Sequence, residues 1–467
     1  MKTAGILSLT ILLLIYSCRK ESFITTPDAR VTITADTLKF DTVFVTAGST
    51  SRYFIIKNDN NQKLKVSSVK LMGGASSVFK INADGIIGPE VQNIEIGAND
   101  SIYVFVQVNV NPNAANLPFV IRDSIKINYN GNSRLVQLEA WGKNAHFLRN
   151  KKITVNETWN NDLPYVILGS LIVDTNRTLA INKGCKVYVN ANAPVIVDGT
   201  LLINGLKDTA DRVYFQGDRL DEPYKDYPGG WPGIFFRGSS KDNVFNYAVL
   251  KNAYQAVGLL DLPSPNVNPK LTLNECVIDN AFDAGIISIN SSVTARNCLI
   301  SNCGNGVEIY KGGTYSFTHC TMATISNSYF LHKEPVVILT NFIKVNNVPS
   351  PADLNAVFRN CIIWGDGGTV EDEVVTVKDN GAAFNVLFQN NLWKVVTPPA
   401  NVITVNIINN QDPQFQTIDF SEKYYDFRLK PSSPAKDTGT STSVILDLDA
   451  KPRTAGPKPD LGSFEKQ

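Results

Sequence analysis

The densest group of chemically able side chains lies in residues 217–227, where Asp218, Asp221, Glu222 and Asp226 stand close together. Hard carboxylate oxygens at this density suit Ca²⁺, which accepts several oxygen ligands in a flexible geometry. Arg219 and Arg237 follow nearby, so Asp221, Asp226 and Arg237 are the candidate catalytic residues. Two carboxylates could instead divide acid–base work on a glycosidic bond. Tyr224, Tyr227 and Trp231 offer flat apolar platforms for sugar rings. The plainer alternative is an inserted loop with solvated charges and Trp231 packed on a neighbour.

A second constellation is the row Tyr247, Glu275, Asn297, His319 and Asn360, of which all but Tyr247 directly precede a cysteine. If the cysteines point inward, strand alternation sends this row outward. Stacked at about 4.8 Å, such a row makes a groove for an extended glycan, with Tyr247, Glu275, Asn297 and His319 as binding residues. An ordinary solvent-facing surface is the alternative. Near the end of the chain stand Asp447, Asp449, Arg453, Asp460 and Glu465. Asp447 and Asp449 could hold a cation, but an ion pair of Arg453 with Asp460, closing the last turn of the fold, is the favoured reading.

These side chains need elements to position them, and a repeat supplies the pattern. Cys276, Cys298 and Cys320 recur at intervals of 22 residues, and Cys361 follows after 41, close to two such periods. Tyr247 fits one coil earlier. Asn252, Asn280 and Asn302 form a second register that predicts a ladder of side-chain amides. A period of this length, with short strands and no helical pattern, reads as a parallel β-helix. The Leu-x-x-Leu-x-Leu framework of leucine-rich repeats is missing. About 260 residues at roughly 22 per coil predict ten to twelve coils.

Residues from 150 onward resemble the right-handed parallel β-helix, pectin-lyase-like family. The likeness rests on Gly169-Ser170-Leu171-Ile172-Val173, Val197-Asp198-Gly199-Thr200-Leu201 and Gly230-Trp231-Pro232-Gly233-Ile234, and on the ends Ser433-Pro434-Ala435 and Pro459-Asp460-Leu461-Gly462. It implies a solenoid over residues 150–410 and a C-terminal closing segment over 411–467. It also allows a polysaccharide lyase, using Ca²⁺-binding carboxylates with an Arg or Lys base. A polygalacturonase-like hydrolase would need a Gly-His-Gly motif, which is absent. The same fold hosts adhesins and inert stalks, so it does not name an activity.

Before it, residues 31–145 alternate with period two, which predicts an antiparallel sandwich resembling the Ig-like modules of bacterial envelope proteins. The expected fold class is therefore all-β throughout. Residues 1–17 carry Lys2 and an apolar run too short to span a bilayer, the pattern of a lipoprotein signal peptide. Ile15-Tyr16-Ser17-Cys18 resembles a lipobox, which implies lipidation at Cys18 and an anchor and linker over 18–30. Arg19-Lys20-Glu21-Ser22 partly matches the surface-export tag of Bacteroidota-type lipoproteins.

The whole chain has 467 residues, with 44 Lys and Arg against 43 Asp and Glu. That balance excludes a nucleic-acid partner, which calls for a basic face. With three His and no Cys-x-x-Cys pair, zinc is not expected. The six cysteines after Cys18 are expected to be free, since side chains stacked in register do not converge as a disulfide requires. The expectation is a monomeric outer-membrane lipoprotein, on the periplasmic or surface face, that binds polysaccharide or displays an interaction surface without catalysis. A Ca²⁺-dependent lyase or glycoside hydrolase acting on acidic glycans is the alternative, and a structural stalk the next.

Overall fold

The structure, a computed structural model, describes residues 22–44, 51–108, 119–143, 145–220, 224–262, 268–329, 331–419 and 421–466. The chain divides into two compact units, Met1–Asn144 and Ala145–Gln467. Both are built from strands, and among the described residues no helix is long and apolar enough to cross a membrane.

The first unit is a pair of sheets. Alternation does the work: Ser51–Asn58 buries Phe54 and Ile56, and Ser101–Val108 buries Ile102, Val104 and Val106. Phe40 of one sheet meets Phe79 of the other at 5.6 Å between ring centroids, so the buried faces oppose each other. Ser101–Val108 lies in the centre of its five-stranded sheet, as its unbroken alternation predicts. Asn130 and Gly131, both left-handed, turn the hairpin between Phe119–Tyr129 and Asn132–Lys143. Two features differ from a purely antiparallel reading. Asn132–Lys143 pairs in parallel with Thr37–Phe44, and Phe23–Ile24, expected within a free linker, pairs in parallel with Lys63 and Leu64.

The second unit is a parallel β-helix whose coils contribute strands to three parallel sheets. One coil shows the plan: Leu271–Asn274 in the first sheet, Val277–Asp279 in the second, and the start of Ala284–Arg296 in the third. The chain then returns, and Leu271 pairs with Val293 and Val277 with Leu299. Inward side chains such as Leu273, Cys276, Ile278 and Ile286 are fully buried in one continuous core. Among the described residues the first sheet holds ten strands. That is the low end of the expected range, because several coils carry insertions.

Two corners of the coil are made by left-handed residues. Tyr247, Glu275, Asn297, His319 and Asn360 all have φ between 47° and 55° at the bend from first to second sheet. Asn252, Asn280 and Asn302 have φ of 60°, 59° and 51° at the bend from second to third. Asn tolerates this conformation better than other residues with a Cβ, which explains its recurrence.

The interval from Cys320 to Cys361 is one coil, not two: Thr318 pairs with Arg359 and Thr321 with Ile362. The extra length is a corner loop and the hairpin Phe342–Val345 and Val348–Pro351. The C-terminal segment also differs from expectation. It packs along the side of the helix, with Phe415, Phe427, Leu429, Leu448, Leu461 and Phe464 against Ala323, Ile325, Ile362 and Leu392 on the outer face of the second sheet.

Candidate functional site

Because the tail covers the second sheet, a groove remains along each of its margins. The groove at the corner between second and third sheets encloses about 390 Å³. Its floor is the corner ladder, where the Asn280 amide donates to Asn252 Oδ1 at 2.8 Å and to the Asp226 carbonyl at 2.9 Å. Asn302 departs from the expected ladder and donates instead to Asp279 Oδ1 at 3.3 Å, which also accepts from Ser301 at 2.8 Å. Asn252 donates to the Lys225 carbonyl at 2.7 Å. These amides tie the 224–226 turn to the helix and make it a wall.

The opposite wall comes from a corner loop and the tail. Lys423 contacts the Tyr329 hydroxyl, lies 4.8 Å above that ring, and approaches Asp226 to 3.6 Å. Lys251 pairs with Asp279 at 3.4 Å, and Tyr425 lines the same space, its phenol pushed up by burial. Tyr227, 40% exposed, meets Tyr329 edge-on at 5.2 Å. Across the same turn, Tyr254 and Phe282 stack at 5.5 Å, and both are about half exposed. The groove thus mixes amide, carboxylate, ammonium and phenol groups beside exposed rings.

The candidates named from sequence scatter across this landscape. Asp226 lines the groove, and Tyr227 stands beside it against Tyr329. Asp221 and Glu222 lie outside the described residues, as do Cys18 and the Tyr224 side chain. Asp218 accepts a hydrogen bond from Asn190 at 2.9 Å. Among the described residues no group of three or more His, Cys, Asp or Glu could hold a metal. Trp231 is not a sugar platform: it is fully buried, 6.2 Å from Phe215, with its indole N–H donating to the Lys251 carbonyl at 2.7 Å. Arg237 ends a third-sheet strand and forms a two-point ion pair with Asp198, so it does not line the groove.

The row before the cysteines is not an open face. Its members sit at turns, where strand alternation does not apply, and the tail covers three of them. Asn297 donates to the Leu446 carbonyl at 2.7 Å, and Asn360 to the Thr440 carbonyl at 2.7 Å and to His319 Nε2 at 3.0 Å. His319 is fully buried, and its proton affinity is pushed down to about 2, first by burial and then by Arg453. It has no access to a ligand. Tyr247 and Glu275 instead line the other groove, beside the tail's Ser443–Leu446 stretch. Arg453 pairs with Glu465 at 3.3 Å rather than with the Asp460 carboxylate, which accepts from the Asp437 and Lys466 amides. The third histidine, His332, is a buried pin: its Nε2 meets both oxygens of Glu373, at 2.9 and 3.0 Å.

Lys251, Asp279, Tyr329, Lys423 and Tyr425 were not singled out from sequence. Asp279 precedes a ladder asparagine, a local signal; Lys423 and Tyr425 arrive from a distant segment and carry none.

No protein-family model matches the chain, and no curated protein does. Solved structures overlap it weakly. The catalytic unit of a GH87 alpha-1,3-glucanase from Streptomyces thermodiastaticus covers 78% of this chain and 90% of that one, at 9% identity and a TM-score of 0.26. A family 123 glycoside hydrolase from Clostridium perfringens covers 28% of this chain and 30% of that one, at 11% identity and a TM-score of 0.19. A PapD-like domain of human CEP192 covers 26% of this chain and 89% of that one, at 11% identity and a TM-score of 0.18. Overlaps at such TM-scores carry no argument about what this chain does.

Proposed function

We propose that this chain is a polysaccharide-binding protein that holds an extended glycan along the corner between the second and third sheets. One observation carries the reading: a groove of about 390 Å³ lined by amide, carboxylate and ammonium groups and by the rings of Tyr329 and Tyr425. Sugars present hydroxyls that both donate and accept, with C–H faces that stack on aromatic rings. Both groove carboxylates face an ammonium group, Asp226 with Lys423 and Asp279 with Lys251. With both carboxylates engaged in ion pairs, the reading is binding without turnover. The leader and Cys18 support an envelope lipoprotein, and the paired sheets of the first unit support an Ig-like spacer.

The test is a panel of neutral and acidic polysaccharides offered to the full-length protein, with and without Ca²⁺, scored for retention and for chain cleavage. Retention without fragments, weakened about tenfold by Tyr329→Ala, is expected. Ca²⁺-dependent fragments would overturn the non-catalytic reading in favour of a lyase, and the 218–226 segment would be the first place to substitute.

A further inference from the structure

The second groove, at the corner between first and second sheets, encloses about 520 Å³ and has a different chemistry. Arg296 lines it, 48% exposed, with its Nε 3.3 Å from Glu275 Oε1. That contact orients the guanidinium and leaves its two terminal nitrogens, the fork that matches a carboxylate or sulfate. Glu275 is itself fixed by the Asn297 amide at 3.1 Å. Arg212 sits 6.0 Å over the Tyr247 ring, which adds a second positive charge beside the groove. The amides of Asn204 and Asn246 line the same wall, Asn246 accepting from Asn274 at 2.9 Å. Ile445 and Leu446 of the tail, 68% and 43% exposed, give the opposite rim apolar surface.

We propose that this second groove binds an anionic saccharide unit, with Arg296 holding the acid group, Tyr247 and Ile445 flanking the ring, and Asn204 and Asn246 meeting its hydroxyls. Charge complementarity selects this occupant: Arg296 lines the groove with Glu275 as the one acid beside it and Arg212 adds a charge over Tyr247, whereas in the first groove Lys423 and Lys251 each approach an acid. Burial pushes the Glu275 carboxyl up. Only the choice of a sugar rests on the polysaccharide-binding reading; the site and its residues are separate.

The full-length protein is titrated calorimetrically with a galacturonate tetrasaccharide, a sulfated heparin tetrasaccharide and neutral maltotetraose. At least one charged probe should bind better than the neutral one, with an affinity that falls as salt rises. Arg296→Ala should weaken that probe about tenfold or more, the worth of one charge-assisted hydrogen bond. Arg212→Ala should weaken it too, and Arg296→Lys should recover part of the loss. Whichever charged probe binds names the acid group. Equal binding of charged and neutral probes, or charged binding indifferent to both arginines, overturns the proposal. Loss of neutral binding alone would remove the first groove's reading and leave this one standing. If Arg296→Ala lowers the melting temperature, Arg212→Ala decides.

Discussion

Arg453 donates through Nη2 to the side-chain oxygen of Asn297 at 2.8 Å, across 156 residues of chain. The same guanidinium meets Glu465 at 3.3 Å and the Gly462 carbonyl at 2.9 Å, and it is 4% exposed. The tail is therefore tied to the middle of the solenoid by one buried cation, and it forms one wall of each groove.

Removing that cation should loosen the tail. Arg453→Met would leave Glu465 buried without its cation, keeping only the Asp460 amide, and the Asn297 oxygen bare, a loss of about 3–5 kcal/mol. Asn297→Ala should cost less, about 1–3 kcal/mol, because Arg453 keeps its other acceptors. Urea denaturation checks the order, and proteolysis should cut the tail first. A change under about 1 kcal/mol for Arg453→Met would show that apolar packing alone holds the tail.

Under the tail, two groups titrate in opposite senses. His319 has a folded value of about 2 against an ordinary 6.5, so its stabilising contribution is complete above pH 6.5 and is lost as pH falls. Glu465 is pushed up by burial to about 7 from 4.5, so its contribution is complete below pH 4.5 and is lost as pH rises toward 7. Burial raises Asp447 and Asp460 in the same sense as Glu465. The histidine is isolated by comparing His319→Asn with the parent at each pH, since the acids then cancel. From pH 6.5 to 4.5 the parent should lose about 1.4 kcal/mol per unit relative to the variant. A constant difference would mean that the buried imidazole takes up a proton as readily folded as unfolded.

What the sequence revealed was whatever repeats locally. Alternation in Ser101–Val108 and the inward file of cysteines follow from side-chain periodicity, and both are present. The residues before those cysteines sit at turns, where the strand alternation that predicts an outward face does not hold. The asparagines at 297 and 360 held the correcting signal, since Asn is the residue with a Cβ that best accepts positive φ. The 41-residue step to Cys361 hid an insertion that spacing cannot distinguish from an extra coil. The tail's docking on Asn297 and the arrival of Lys423 beside Asp226 are long-range pairings, with no pattern in the chain to announce them.

The thiol file makes its own prediction. The six described cysteines are free and buried, and burial pushes Cys185 up to about 11 and Cys303 to about 12. Thiol reagents attack the thiolate. An aromatic disulfide reagent should therefore modify none of the six in the native protein and all six in denaturant. Cys298→Ser, which puts a hydroxyl into the apolar interior between Cys276 and Cys320, should cost about 1–3 kcal/mol. Fast native modification would require an opening of the core that the packing does not provide.

Asn280 couples the ladder to the first groove and separates backbone from side-chain effects. Its φ of 59° suits glycine, and its amide alone bridges Asn252 and the Asp226 carbonyl. Asn280→Gly keeps the bend and loses the bridges; Asn280→Ala loses the bridges and strains the bend. The alanine variant should therefore be about 1 kcal/mol less stable than the glycine variant. Both should weaken binding of a neutral oligosaccharide to a similar degree, because both remove one of the two amides that hold the 224–226 turn, leaving only Asn252. Binding that tracks stability, with glycine near the parent and alanine far below, would show that the bend and not the bridges shapes the groove.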